Sequence, residues 1–169
     1  MHKIIPLLSV CVLVILTLGF VAHSGQAQSK ISGVIDHFTD GDSFIIHGQK
    51  VRLWGIDAPE YYQSCLDAAG QEYQCGRQAR QFFENLAVSR SVSCNIMPAA
   101  KRESRIVAKC FLDGADLAGE IVKAGHAIDY TYFSDGFYKS AERAAKLAKS
   151  GLWQGDFIEP YQWRKQNKR

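Results

Sequence analysis

Residues 40–60 read DGDSFIIHGQKVRLWGIDAPE, and this stretch decides the fold. Two β-branched, apolar runs, SFII and VRLWGI, flank a short turn at Gly48-Gln49, the pattern of a β-hairpin. The charge is concentrated at the strand ends: Asp42 before the first strand, Asp57 and Glu60 after the second, Arg52 within it. With a Gly48-Gln49 turn, Asp42 falls opposite about Gly55, and Asp57 lies just beyond it. Two carboxylates then meet at one sheet edge, with Glu60 further along. Like charges so placed repel unless a cation intervenes. A hard divalent ion held by carboxylate and backbone oxygens removes that cost. Arg52 adds a guanidinium, and metal plus arginine is the chemistry that neutralises a phosphate under in-line attack. A purely local reading competes: DGD is a turn signal, DAPE opens a loop, and Arg52 blunts a strand edge.

Outward from the hairpin, Ser29–Phe38 has strand composition and precedes the TDGD turn. Ala79, Phe82, Phe83, Leu86 and Ala87 recur at helical spacing, so Gly76–Arg90 is an amphipathic helix. SVSCNIM and RIVAKCFL are two more strands around a polar loop. Leu117, Ala118, Ile121 and Val122 mark a short helix stopped by Gly125, HAIDYTYF is extended, and Tyr138–Ser150 is a last helix ending at Gly151. Five strands with about three helices and no linker make one mainly β, α+β domain over residues 28–169, an OB-type barrel.

The 169 residues are 47% hydrophobic and 22% charged, which excludes a disordered chain. Of the 20 Lys and Arg, Lys3 alone lies in the first 27 residues and four lie in the last seven. Against 17 acids the body is slightly acidic, so a broad basic binding face is excluded, and a polyanion is left to a few arginines and the tail. Lys3, an uncharged apolar run from Ile4 to Ala22 and the small residues Gly25 and Ala27 read as a signal peptide over residues 1–27. The run is also long enough for an uncleaved membrane anchor. Either way the domain is exported, periplasmic or extracellular, or anchored on the outer face of the membrane.

Export gives Cys65, Cys75, Cys94 and Cys110 a disulfide role. If the two later strands pair about Arg102, Cys94 faces Cys110 within bonding range, which leaves Cys65 with Cys75.

DGDS followed by VRLWGIDAPE resembles the signature of the staphylococcal nuclease-like (thermonuclease) family. CGRQARQFFENL resembles the family's first helix, RIVAKCFLDGADLAGEIVKAGHA its second catalytic strand, turn and helix, and AAKLAKSGLWQGDFIEPYQWRK the ends of its exported bacterial members. The resemblance implies an OB-type barrel with three helices and calcium-dependent hydrolysis of DNA and RNA to 3′-phosphate products by a monomer. It implies Asp42, Asp57 and the backbone carbonyl of Ala58 as Ca²⁺ ligands. Glu60 matches the residue that positions or deprotonates water, and Arg52 and Arg105 match the phosphate-binding arginines. Before Arg105 the chain departs from the pattern: KRES places Glu103 where an aromatic is expected and keeps Arg102 as a cation near the phosphate. Tyr130 and Tyr132, on one face of an extended segment, are candidates for stacking on a base. The rival reading is an OB-type nucleic-acid-binding module with weak catalysis.

Overall fold

The computed structural model describes residues 29–167; the expected leader therefore lies outside the described residues. In chain order the elements are β1 (Lys30–Val34), β2 (His37–Phe38), β3 (Ser43–Ile46), β4 (Gln49–Leu53), β5 (Ile56–Asp57), β6 (Cys65–Leu66), β7 (Glu72–Tyr73) and α1 (Cys75–Ala87). There follow β8 (Ser91–Ile96), β9 (Ile106–Leu112), β10 (Ala115–Asp116), α2 (Leu117–Lys123), β11 (Ile128–Asp129), α3 (Thr131–Ser134), α4 (Lys139–Ala148), a 3₁₀ turn (Gly151–Gln154) and α5 (Pro160–Gln166).

The main sheet runs β1-β8-β9-β4-β3-β2. Its two ends are consecutive pieces of one strand, broken only at Ile35-Asp36. Asp36 bridges the break by donating to Ile45 O at 2.8 Å. The sheet therefore curls back on itself, and counting β1 and β2 as one bent strand gives the five strands of an OB-type barrel. Strands β4 and β9 pair in parallel through Val51↔Ile106 and Leu53↔Ala108; the other barrel neighbours are antiparallel. Alternation in β9 points Ala108, Cys110 and Leu112 inward, where they meet Phe44, Ile46, Val51, Leu53 and Val92. Phe83 of α1 plugs one end of this core, edge-on to Phe38 and Phe44.

The hairpin register differs from the expected one. Ile46 pairs with Gln49, so the turn residues are His47 and Gly48, both at positive φ (50° and 70°). That is the two-residue turn whose twist suits a hairpin, and it needs left-handed backbone at both positions. Moving the turn back by one residue shifts the pairing by two and makes Leu53 the neighbour of Asp42, whose carbonyl accepts from Leu53 N at 2.8 Å.

Both disulfides are present. Cys94 and Cys110 are directly opposed on β8 and β9 with Cα atoms 4.0 Å apart, and Cys65–Cys75 closes the loop before α1 at 5.7 Å. Besides the three expected helices, α1, α2 and α4, the described residues contain two more. Helix α3 replaces part of the expected extended segment, and α5 replaces the expected loose basic tail. Among the described residues no helix is long and apolar enough to cross a membrane.

Candidate active site

The site is assembled where β3 starts and β4 and β5 end. Asp42 is 3% exposed, Asp57 0%. One nitrogen, Arg52 Nη2, lies 3.0 Å from Asp42 Oδ2 and 2.7 Å from Asp57 Oδ1, so the two buried carboxylates converge on a shared cation. The other Asp42 oxygen accepts from Ser43 Oγ at 2.7 Å, and Oδ2 also takes the Ala58 N–H at 3.3 Å. Asp42 is desolvated by burial, but the charge of Arg52 and these hydrogen bonds outweigh that and hold its carboxyl below the usual carboxylate range. For Asp57 burial prevails. Its carboxyl sits above the usual range despite the downward pull of two arginines.

Glu60 follows Pro59 at the start of the disulfide loop and is placed by backbone packing. Gly76, at the start of α1, lies so close to the Glu60 carbonyl that a Cβ there would come within 1.8 Å of it. Gln63, fully buried, holds the same turn: its N–H donates to Glu60 O at 2.7 Å and its Oε1 accepts from Glu60 N at 3.2 Å.

Arg105 enters from the start of β9, opposite β4. Its Nη1 donates to Ser43 Oγ at 3.2 Å, which links it to Asp42 through one hydroxyl. Its Nε and Nη2 donate to the two Glu103 oxygens, each at 2.8 Å. That pairing pulls the Glu103 carboxyl down to about 2. Arg52, Arg105 and Arg164 line one cavity of about 280 Å³, walled by Trp54, Tyr130, Phe133 and Tyr161.

Three placements differ from the sequence expectation. Tyr130 lines the cavity, but Tyr132 is 83% exposed and does not share its face. The reason is local: Phe133 and Ser134 N–H both donate to Tyr130 O, so the chain turns helical there and alternate residues diverge. Arg102 is exposed in the loop before β9 and does not line the cavity, which Glu103 and Arg105 reach instead. Arg164, read as tail, is in the site, with Nη1 2.9 Å from both Asp57 Oδ1 and Glu60 Oε1 and Nη2 3.0 Å from Asp57 Oδ2.

Asp40 was legible only as a turn residue. It accepts from Asp42 N at 3.2 Å, and burial together with the neighbouring Asp42 charge pushes its carboxyl up to about 8.

Among the described residues no group of three or more His, Cys, Asp or Glu is placed to hold a metal ion. The donors brought together are two carboxylates. Oxygens of Asp42 and Asp57 already converge on a single guanidinium nitrogen, so a compact cation sharing both carboxylates fits these residues.

A curled five-stranded sheet of the OB type, carrying paired acids and arginines beside an aromatic-walled cavity, is the architecture of a small phosphate-handling protein. The comparisons narrow this further. The family model described as staphylococcal nuclease homologue matches residues 50–155, and the chain belongs to that family. Among curated proteins it is 34% identical to a succinoglycan biosynthesis protein of Rhizobium meliloti, over 79% of this chain and 70% of the relative. It is 29% identical to an uncharacterized endonuclease of Haemophilus influenzae, over 90% and 84% respectively. A probable staphylococcal-like nuclease of rice matches at 28% identity over 85% of this chain but 27% of its own length. Family and relatives support a nuclease, with nucleic acid as substrate. The family is generally metal-dependent, and the two disulfides fit an exported protein.

Proposed function

We propose that the chain is an exported, calcium-dependent nuclease that hydrolyses phosphodiester bonds of DNA and RNA and leaves 3′-phosphate ends. The observation that carries this reading is the convergence of Asp42 and Asp57 on Arg52, with Arg105 lining the same cavity as Arg52 and Glu60 joined to Asp57 through Arg164. Asp42, Asp57 and the Ala58 carbonyl would hold the Ca²⁺. When bound, the ion supplies positive charge at the phosphate and an acidified water. Glu60 accepts the proton of the attacking water. Arg52 and Arg105 donate to the equatorial phosphate oxygens, where charge accumulates as the bond to the 5′ oxygen lengthens. Tyr130 offers an aromatic face to the adjoining base. Arg105 has to exchange Glu103 for phosphate, so substrate competes with an internal carboxylate.

The rival reading is a binding module with weak catalysis; it is disfavoured because Asp42, Arg52, Asp57, Glu60 and Arg105 are all present and all reach one region. Digestion of single-stranded DNA and of RNA by the mature protein, with Ca²⁺ and then with excess chelator, separates the two. Cleavage that Ca²⁺ supports and chelator stops is expected. Binding without cleavage would select the module instead.

A further inference from the structure

The C-terminal segment is strapped to the loop that carries Glu60. Asp156 O accepts from Leu66 N at 2.8 Å, and Ile158 O accepts from Gln63 Nε2 at 2.7 Å. Gly155 lies so close to this loop that a Cβ there would come within 2.3 Å of Leu66 O. Gln63 is the same buried residue that fixes the Glu60 backbone, and Cys65–Cys75 closes the loop behind it. The strap turns through buried Pro160, which suits the first turn of a helix, and α5 delivers Arg164. Its guanidinium forks onto both Asp57 oxygens and reaches Glu60 with the same Nη1. Among the described residues no other side chain bonds the Glu60 carboxylate.

We propose that Arg164 is a positioning residue of the active site: it locks the Glu60 carboxylate in register with Asp57, through a strap built for that purpose at the other end of the chain. This rests on the reading of Glu60 as the proton acceptor. Glutamate has three rotatable bonds, and a base that wanders by about 1 Å can cost on the order of 10²-fold in rate. A planar fork fixes two carboxylates at once, which an ammonium does only in part. An arm that merely blocked the site would give the opposite sign, since its removal would raise activity.

The test uses the mature full-length protein with Arg164→Gln, Arg164→Lys, Glu60→Gln and the Arg164→Gln/Glu60→Gln double variant, assayed on a single-stranded oligonucleotide. Arg164→Gln is expected to lower kcat by about 10- to 100-fold with KM nearly constant, and Arg164→Lys to recover part of the loss. The double variant is expected to be no slower than Glu60→Gln alone, because the two residues act as one unit. The ¹³C resonance of the Glu60 carboxyl, assigned through Glu60→Gln, is expected to move in Arg164→Gln. A kcat in Arg164→Gln equal to or above wild type, additive losses in the double variant, or an unmoved carboxyl resonance would each overturn the proposal. Absence of hydrolysis by the wild-type protein would instead sink the nuclease reading, and the carboxyl resonance still decides the contact.

Discussion

Glu103 holds Arg105 by a two-pronged ion pair, with Nε and Nη2 each 2.8 Å from a carboxylate oxygen, and a third bond runs from the Arg105 N–H to Glu103 Oε1 at 3.0 Å. The two residues are only two positions apart, so the pair forms whenever the turn before β9 forms. It keeps the Arg105 guanidinium, proposed to bind phosphate, extended along the cavity wall, but it also gives that guanidinium a resident anion.

Glu103→Gln is therefore expected to lower KM for nucleic acid by about two- to fivefold, the release expected for a partly exposed ion pair. The same variant reports on pH. The Glu103 carboxyl lies at about 2 in the folded protein against an ordinary 4.5, so the pair contributes stability above pH 4.5 and loses it as pH falls toward about 2. Thermal unfolding followed from pH 6 to pH 2 should show a shallower acid decline in Glu103→Gln than in wild type. Parallel declines would mean that the fork does not persist in solution.

The disulfides separate stability from activity. Cys94–Cys110 closes a 16-residue separation across the barrel core, and both residues are fully buried. Replacing both by Ala should cost roughly 3 kcal/mol in stability with little change in kcat for whatever remains folded. Cys65–Cys75 spans 10 residues and closes the loop behind Glu60. Its replacement should cost less in stability yet lower kcat, because the strap and Gln63 then hold a looser loop. Denaturant unfolding beside steady-state kinetics distinguishes the two patterns, and equal effects on both quantities would contradict it.

For the proposed Ca²⁺ site, the expected metal preference follows from how few lone pairs the acids leave free. Asp42 is already bonded by Ser43, Ala58 and Arg52, and Asp57 by Arg52 and Arg164. A bound ion would have to accept irregular geometry and fill its shell with water. Ca²⁺ tolerates this, whereas Mg²⁺ demands a near-ideal octahedron and dehydrates reluctantly. Activity is expected with Ca²⁺ and much less with Mg²⁺, and Asp42→Ala should abolish measurable Ca²⁺ binding in a calorimetric titration. Full binding by Asp42→Ala would move the ion away from this site.

The hairpin was legible because its strands alternate and its turn contains glycine, and the helices because Ala79–Ala87 and Leu117–Val122 repeat at helical spacing. The turn slipped by one residue, and the pairing with it by two, because the first left-handed position is His47, a residue with no strong turn signal. Tyr130 and Tyr132 were placed together by strand alternation, which fails where a helical turn starts at Tyr130. Arg164 was not legible at all. Its partners lie 104 and 107 positions away, and a basic run near a terminus looks the same whether it is solvated or docked. The anchor that docks it, Gln63 to Ile158 O, joins a loop to a loop and has no periodic signature. Asp40 was hidden for the opposite reason, since a turn acid is expected to be solvated and this one is packed beside Asp42.

Arg105→Lys tests whether a second guanidinium acts in the transition state. In the folded protein Arg105 already uses three of its nitrogens, on Glu103 and on Ser43, so its position is set before substrate arrives. Phosphate then replaces Glu103 on the same face of the fork. Two parallel N–H donors match two equatorial oxygens, and their bonds strengthen as those oxygens gain charge, whereas an ammonium offers one point charge. Interactions that strengthen only in the transition state appear in kcat, and uniform contacts appear in KM. Arg105→Lys should thus lower kcat by roughly 10²-fold or more, by analogy with removal of one preorganised donor. Ca²⁺ affinity should stay nearly unchanged, because Arg105 reaches Asp42 only through the Ser43 hydroxyl, which still donates to Asp42 Oδ1 at 2.7 Å. Steady-state kinetics with a Ca²⁺ titration of the same preparation measures both. Near wild-type kcat in Arg105→Lys would make Arg105 a structural partner of Glu103 and leave Arg52 as the guanidinium at the phosphate.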